Sequence, residues 1–269
     1  METGFALSEI DTTTPHPARM YDALLGGKDN YAADRQAVRE LLRVAPEARD
    51  SARANRAFLQ RAVRYLAGQA GIRQIIDIGT GIPAAGNVHE VAAQVAPGTR
   101  VAYVDNDPIV HVHANALLTG SGTTSIVLAD LREPEAIMAH PKVRALIDFT
   151  QPVALLLVAI VHFITEKENP ARILSVFRDA LPAGSYLALS HATADFRPAA
   201  ARHAAAVYDQ ATSPVTLRTR AQVAAFFQGW DLAEPGLVQV PLWRPEGRRP
   251  RQRELDRVWV YGGVARKSP

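Results

Sequence analysis

The chain has 269 residues, of which 48% are hydrophobic and 21% are charged, and a formal net charge of +3, which is the composition of an ordinary soluble globular protein. It contains no cysteine, which excludes disulfides, thiolate metal sites and cysteine nucleophiles. The first residues lack the basic and apolar regions of a signal peptide, and the longest apolar run, residues 153–161, is about half of a membrane span, so we expect a cytoplasmic protein without a membrane partner.

The N-terminal quarter of the chain predicts a tail followed by helices. Residues 1–15 are polar and threonine-rich, which is typical of a mobile tail. The first helix ends at a glycine pair, Asp29 or Asn30 can cap the second helix, and a third helix follows. No strand pattern occurs here. We therefore predict an N-terminal tail and helical lid over residues 1–70, laid against a core over residues 71–269.

Beyond the helical segment the pattern changes to strands that alternate with helices. Strands are predicted at 73–79, 100–105, 123–129, 153–160, 185–190, 237–242 and 257–265. Helices are predicted at 85–96, 108–118, 133–147, 166–181 and 219–229. The fourth strand is apolar throughout, as expected of a parallel strand covered on both faces. The expected fold is a Rossmann-like α/β fold whose seven-stranded, mostly parallel sheet closes with a C-terminal antiparallel hairpin.

The most informative motif is the end of the first strand, which reads Gln-Ile-Ile-Asp-Ile-Gly-Thr-Gly. Asp77 is followed by Gly79 and Gly81, and glycine lets the backbone turn sharply and approach a ligand closely. The second strand ends in Asp105, whose carboxylate can accept hydrogen bonds from both hydroxyls of a ribose. This order of strand, glycine turn, helix, strand and acid predicts a pocket for a nucleoside-bearing cofactor.

Two residues around the glycine turn favour one class of cofactor. The turn formally matches the dinucleotide fingerprint, but Asp77 places a carboxylate where a diphosphate requires positive potential. Pro83 also removes a backbone N–H from the start of the next helix. A cationic ligand without phosphate fits better, and S-adenosylmethionine carries a sulfonium and an ammonium. A nicotinamide-dependent oxidoreductase is the weaker alternative.

Another carboxylate, Asp130, follows the third strand at the same edge of the predicted sheet. It can accept a hydrogen bond from an adenine amino group, or it can simply cap the next turn. After the second strand, Pro108 at the first helical position makes Asp107 a plausible helix cap. This leaves Asp105 as the ribose acceptor.

These residues resemble a known superfamily and, within it, one family. Residues 77–81, Asp105 and the Ala129-Asp130 pair look like motifs I, II and III of class I S-adenosylmethionine-dependent methyltransferases. Longer segments resemble an actinobacterial methyltransferase family once known only as a domain of unknown function (DUF574-like). They are 19–31, 52–59, 77–83, 86–90 and 103–108. The resemblance implies a seven-stranded sheet and S-adenosylmethionine as cofactor, but no particular acceptor.

Carried over to this chain, the resemblance implies cofactor contacts at six positions. They are Asp77, Gly79 and Gly81 along the methionine part, Asp105 on the ribose, Asn106 beside the adenine and Asp130 at the adenine amino group. After the fourth strand the chain reads Val-Ala-Ile-Val-His-Phe, not the acid or Asn-Pro-Pro-Tyr-like motif found in methyltransferases that act on amino nitrogens. A nucleic-acid amino group is therefore a less expected acceptor. His162 becomes the best-placed catalytic base, although a lone histidine after an apolar strand can also be structural.

The turn between the first two helices is a candidate lid. Lys28 can meet a cofactor carboxylate, Asn30 and Tyr31 can close over the pocket, and Asn55 and Arg56 are weaker companions on the third helix. The alternative is a glycine stop followed by a helix cap, which requires neither Lys28 nor Tyr31.

The segment 244–253 carries five arginines, and we interpret it as a solvated loop. A nucleic-acid contact is less expected because no aromatic residue separates the arginines. No cluster with metal-ligand spacing is found. The sequence thus predicts an S-adenosylmethionine-dependent methyltransferase with a small-molecule acceptor, and the alternative from another class is a non-catalytic S-adenosylmethionine-binding regulatory module.

Overall fold

The computed structural model describes residues 11–118 and 122–268. Its α-helices are α1 Pro17–Leu25, α2 Ala32–Val44, α3 Ala48–Arg64, α4 Val88–Val95, α5 Pro108–Leu118, α6 Pro134–Ala139, α7 Pro141–Leu146, α8 Pro170–Ala180, α9 Pro198–Val207, α10 Arg220–Ala225 and α11 Gln252–Leu255. Its strands are β1 Gln74–Ile78, β2 Arg100–Asp105, β3 Thr124–Leu128, β4 Ala154–Val158, β5 Tyr186–Ala192, β6 Trp230–Leu232, β7 Val238–Gln239 and β8 Val260–Lys267.

The eight strands of the described residues form one sheet, in the order β3-β2-β1-β4-β5-β8-β6, and β7 pairs with β8. The strands β1 to β5 are parallel, whereas β8 is antiparallel to β5, β6 and β7. The mixed α/β fold and the mostly parallel sheet are confirmed. The strand order reverses between β1 and β4, and in open sheets of this kind ligands bind at the carboxyl ends of the strands next to such a reversal.

Side chains alternate between two cores on the two faces of the sheet. In β1, Ile76 and Ile78 pack into the core that contains α6, α7 and α8, whereas Ile75 packs into the core that contains α3 and α4. Because successive residues of a strand face opposite sides, Asp77 belongs to the face covered by α3 and α4. The buried runs of β1 and β4 therefore belong to parallel strands that are covered on both faces, as predicted for the fourth strand.

The N-terminal helices form a separate layer with α9. A third apolar cluster joins α1, α2 and α9 around Met20, Leu41 and Trp259. The helix α1 ends at Gly26, which has a φ of 88°. The predicted caps of α2 are wrong, because the helix begins after Tyr31 and the carboxylate of Asp34 accepts the Tyr31 N–H at 2.8 Å.

Proline explains where the predicted elements are shorter than expected. The predicted helix 133–147 is broken at His140, which has an extended backbone because Pro141 follows it. The predicted helix 166–181 is a short 3-10 turn and then α8, which begins at Pro170. Pro241 lies in a 3-10 turn and ends the predicted strand 237–242 after Gln239.

Three elements carried no prediction, namely β6, α9 and the four-residue helix α11. The edge strand β6 has only three residues, and Asp231 and Leu232 are exposed, so its pattern is too short to recognise. It pairs with the side of β8 that faces away from β5, so β8 lies inside the sheet and β6 forms its edge. The helix α9 is rich in alanine and has little amphipathic contrast.

The described part of the predicted tail, residues 11–15, contacts the rest of the protein. Residues 1–10 lie outside the described residues, but the carbonyl of Asp11 accepts from Arg19 Nη1 at 3.1 Å, and the carbonyl of Pro15 accepts from the Thr212 N–H at 3.0 Å. Residues 11–15 are thus attached to the body of the protein. In the part of the chain that the structure describes, no helix is long and apolar enough to cross a membrane.

Candidate functional site

The glycine turn after β1 is held against the end of β2. Gly79 and Gly81 have φ values of 72° and 68°, which side chains disfavour. The Gly79 N–H donates to the carbonyl of Val104 at 2.8 Å, and the Gly81 N–H donates to Asp105 Oδ2 at 2.8 Å. A Cβ on Gly79 would lie 2.6 Å from Ile160 Cγ1. The turn therefore requires glycine at position 79, and a hydrogen bond connects it to Asp105 at the end of β2.

Asp105 is buried, and its carboxylate connects two backbone segments at the edge of the sheet. Besides Gly81, its carboxylate accepts the N–H of Asp107 at 3.0 Å. Burial raises the pKa of Asp105 to about 6, although these N–H donors act in the opposite direction. A carboxylate offers about four lone-pair positions, and the N–H donors of Gly81, Asp107 and Asn106 leave part of this capacity for a ligand in the cavity that Asp105 lines.

Asp77 and Arg56 line the same cavity, and the charge of Arg56 acts on the carboxyl of Asp77. Burial raises the pKa of Asp77 to about 7, and the positive charge of Arg56 opposes that rise. Arg56 Nη2 donates to the carbonyls of Ala84 and Gly86, each at 3.2 Å. Its Nε is buried and has no hydrogen-bond partner among the described residues. The unsatisfied Nε–H of Arg56 can donate to a ligand carboxylate, and the carboxyl of Asp77, whose pKa is raised, gains from a ligand ammonium that stabilises its charged form. The two residues together therefore fit a ligand that carries both groups.

Asn106 and Asp130 meet at the adjoining edge, as the sequence predicts from their positions after β2 and β3. Asn106 Nδ2 donates to Asp130 Oδ2 at 2.9 Å. Asp130 also accepts the N–H of Arg132 at 2.8 Å and pairs with its guanidinium at 3.2 Å. The capping alternative for Asp130 is therefore present in the structure, and both residues also line the cavity.

The structure does not bring the predicted lid residues to the cavity wall. Lys28 is exposed, and the buried Asn30 donates to Asp22 Oδ2 at 2.7 Å. Tyr31 packs beside Ile82, under the guanidinium of Arg19. Their contact with the cofactor stays a prediction, and Arg56 is the cation that the structure places beside Asp77.

The periodicity of α3 could not single out Arg56. The sequence indicated Arg56 only as a weaker companion of the lid residues, and its neighbour Asn55 is the one polar residue among the buried residues of α3. Asn55 is also engaged at the cavity: it donates to Tyr21 Oη at 3.0 Å and accepts from Ser190 Oγ at 2.6 Å. This buried chain of hydrogen bonds connects α1, α3 and β5.

The cavity has a volume of about 220 Å³ and continues from the glycine turn to the N-terminal helices. We call its far part the apolar chamber. Its walls come from α1, α2, α9 and the start of β8, and the lining residues that define it are Leu24, Leu41, Ala201, Ala204, Tyr208 and Trp259. Sequence analysis missed this chamber, because its walls come from segments far apart in the chain.

His162 lies on the cavity wall just beyond β4 and is 8% exposed. Its Nδ1 accepts the N–H of Ala192 at 3.4 Å, and its ring lies 4.4 Å from the ring of Phe163. Burial, together with the positive charge of Arg218, lowers the pKa of His162 to about 3. The imidazole is therefore neutral near pH 7, as a base must be, but it binds a proton weakly.

Asp77→Asn should stabilise the ligand-free protein in alkaline but not in acidic solution. The pKa of Asp77 is raised by burial, so its contribution to stability is complete below the unfolded pKa and is lost as the pH rises through about 7. Asparagine does not ionise. In urea titrations we expect the free energy of unfolding of the variant to exceed that of wild type by as much as about 4 kcal/mol at a pH of about 8.5 and by about 1–2 kcal/mol at a pH of about 5, with no gain at a pH of about 3. A pH-independent difference would contradict the buried charge.

The chain is similar to proteins of known family and known structure. The profile of a family described as S-adenosyl methyltransferase matches residues 4–268. A DUF574 family protein from Streptomyces avermitilis is 44% identical, with a TM-score of 0.93 over 96% of this chain and 100% of that one. A protein from Thermobifida fusca is 39% identical, with a TM-score of 0.91 over 96% of this chain and 97% of that one.

More distant structures share the fold. Magnesium protoporphyrin IX methyltransferase from Synechocystis, solved with bound S-adenosylhomocysteine, is 14% identical, with a TM-score of 0.54 and coverage of 93% of each chain. At this identity the match concerns the fold alone. The comparison with curated proteins returned no match.

Proposed function

The chain belongs to the S-adenosyl methyltransferase family, which uses S-adenosylmethionine, and from this premise we propose that its acceptor is a small, largely apolar molecule. The observation that carries the proposal is the continuity of the cavity. It begins at the glycine turn and ends in the apolar chamber beneath α1, α2 and α9. A site enclosed by helices suits a small acceptor better than a macromolecule.

The charged residues at the sheet edge suit the parts of this cofactor. Asp105 has free lone pairs for the ribose hydroxyls, and Asn106 and Asp130 flank the place of the adenine. Asp77 faces the ammonium of the methionine part, and Arg56 receives its carboxylate. The cofactor supplies an electrophilic methyl group on a sulfonium. The protein's task is then chiefly to align the acceptor with that group and to exclude water.

The proposed function is tested by calorimetric titration with S-adenosylhomocysteine and NADH, followed by incubation of the protein and S-adenosylmethionine with a panel of small apolar molecules, duplex DNA and protein. We expect binding of S-adenosylhomocysteine but not of NADH, and transfer only to a small molecule. Ala204→Trp fills the apolar chamber and should abolish transfer while leaving the affinity for S-adenosylhomocysteine unchanged. Tight NADH binding would instead support an oxidoreductase. Binding of S-adenosylhomocysteine without methyl transfer to any acceptor would support a regulatory module.

Arg56→Gln should weaken S-adenosylhomocysteine about tenfold or more, because the charge-assisted bond to the ligand carboxylate is lost. The matched ligand is 5′-methylthioadenosine, which keeps the nucleoside and the thioether but lacks the amino-acid part. Its affinity should be the same for Arg56→Gln and wild type in calorimetry. An equal loss for both ligands would mean that Arg56 acts only by holding residues 84–87.

The arginine-rich segment supports the expectation of no nucleic-acid partner. Arg248 is paired with Glu254, and the guanidinium of Arg244 lies 4.0 Å from the centre of the Tyr65 ring. Two of the five arginines are thus engaged within the protein and less available to phosphates, whereas Arg249, Arg251 and Arg253 are exposed. We therefore keep the interpretation of a solvated loop, and a cytoplasmic location stays a prediction.

A further inference from the structure

We propose that the acceptor carries a carboxylate and that His162 holds this carboxylate as a hydrogen-bond donor, not as a base. The inference rests on the proposed function, because it names the chemical class of the molecule in the apolar chamber. It replaces the expectation that His162 acts as the catalytic base.

The first observation is the proton position on His162. The last pair between β4 and β5 joins Val158 to Ser190, whereas β5 continues to Ala192. The Ala192 N–H therefore lies beyond the β4 partner, and His162 Nδ1 accepts it at 3.4 Å. A neutral imidazole whose Nδ1 is an acceptor carries its proton on Nε2. The ring nitrogen left for a ligand is thus a donor.

The second observation is the charge behind His162. Arg218 is 2% exposed, and its Nη1 lies 3.0 Å from His191 Nε2 while its Nη2 donates to the Ile164 carbonyl at 2.8 Å. His191 Nδ1 donates to the Ala192 carbonyl at 2.7 Å, so Nε2 accepts from Arg218 and His191 is neutral. The carboxylate that pairs with Arg218 is Glu166, which is 67% exposed and lies in solvent. The buried side of His162 is therefore electropositive.

The third observation is the distribution of acids. Among the described residues that line the cavity, the carboxylates are Asp77, Asp105 and Asp130, all at the cofactor end. The chamber has no acid of its own to neutralise an ammonium. A donor, a buried guanidinium and the absence of a nearby carboxylate together favour an anionic acceptor group over an amine.

The chemistry of a carboxylate suits a site without a strong base. A carboxylate is ionised at neutral pH, so its oxygen attacks the methyl carbon with its own lone pair. The carbon–sulfur bond breaks, its electron pair stays on sulfur, and the products are a methyl ester and a neutral thioether. No proton is transferred. An alcohol or an ammonium would first have to lose one, and His162 binds a proton poorly.

The experiment uses the full chain saturated with S-adenosylhomocysteine and three matched probes: 3-phenylpropanoic acid, 3-phenylpropan-1-ol and 3-phenylpropan-1-amine. Long-range proton–nitrogen NMR of histidine-labelled protein should show His162 protonated on Nε2 only. The acid should bind about tenfold or more tightly than the alcohol and the amine and should shift the Nε2 resonance. His162→Phe should remove this preference, and His162→Gln, which keeps a donor, should restore part of it.

The inference is overturned if His162 is protonated on Nδ1, if the alcohol or amine binds as tightly as the acid, if none of the probes binds, or if His162→Phe keeps the preference for the acid. These outcomes are separable from a failure of the proposed function. Transfer of the methyl group to an alcohol or amine in the acceptor panel would leave the small-molecule methyltransferase intact and remove only the carboxylate. Loss of S-adenosylhomocysteine binding in wild type would remove the proposed cofactor site itself.

Discussion

Asp105→Ala is expected to weaken the binding of S-adenosylhomocysteine by about 100-fold or more. The substitution removes the acceptor for the ribose hydroxyls, and hydrogen bonds to a charged group are worth about 1.5–3 kcal/mol each. It also leaves the N–H groups of Gly81 and Asp107 without their acceptor, so the glycine turn loses its connection to the end of β2. Calorimetry at a pH of about 8 measures the effect, because the carboxyl of Asp105, whose pKa burial raises to about 6, is then ionised.

Two comparisons separate the ligand contact from the support of the turn. Asp105→Asn keeps one oxygen acceptor and should lose less affinity than Asp105→Ala. Asp105→Ala should lose as much affinity for 5′-methylthioadenosine as for S-adenosylhomocysteine, because the ribose is common to both ligands. Arg56→Gln should instead keep the wild-type affinity for 5′-methylthioadenosine. A wild-type affinity in Asp105→Ala would refute the assignment of the ribose to this residue.

Arg19→Met should reduce the free energy of unfolding by about 3–5 kcal/mol, the usual cost of removing one partner of a buried ion pair. Arg19 Nε donates to Asp107 Oδ2 at 3.1 Å, and the two side chains are only 4% and 2% exposed. Arg19 lies on α1 and Asp107 follows β2, and Arg19 Nη1 also lies 3.9 Å from Oδ2 of the buried Asp34. The variant therefore removes the guanidinium from two buried carboxylates between the helical layer and the sheet. Urea unfolding followed by circular dichroism gives the value.

The double variant Arg19→Met, Asp107→Asn provides the control. Asparagine keeps an oxygen for the Ile109 N–H, which Asp107 now accepts at 2.9 Å, but brings no charge. We expect the double variant to recover part of the lost stability, because one of the two buried carboxylates, that of Asp107, is removed along with its partner. An additive or larger loss would mean that Arg19 stabilises the protein by packing, not through the ion pair.

The cofactor edge could be read from the sequence because its signals are local. Glycines at 79 and 81 follow a buried strand, and Asp105 ends the next one. Parallel strands bring their carboxyl ends to one edge of the sheet, so residues that are only adjacent to strand ends become neighbours in space. The structure confirms this convergence through the bond from the Gly81 N–H to Asp105.

The predicted lid residues show where local signals are insufficient. The turn after α1 contains Lys28, Asn30 and Tyr31, which the sequence places near the cofactor. In the structure Asn30 bonds back to Asp22, and Lys28 is exposed. Arg56, on the next helix but one, reaches the cavity instead. Helix periodicity gives the buried face but not the neighbour that the face meets, and that depends on how α3 is packed on the sheet.

The sequence alone indicated the fold class, the cofactor and the edge of the sheet at which we propose that the cofactor binds, since strand periodicity, glycine turns and strand-end acids are properties of short segments. Only the tertiary structure decided the shape of the apolar chamber, whose lining residues Leu24, Ala204 and Trp259 are far apart in the chain. It also placed the Ala192 N–H of the neighbouring strand against His162 Nδ1, the contact on which the role proposed for His162 rests. Contacts between distant segments leave no periodic trace in a sequence, so they appear only once the chain is folded.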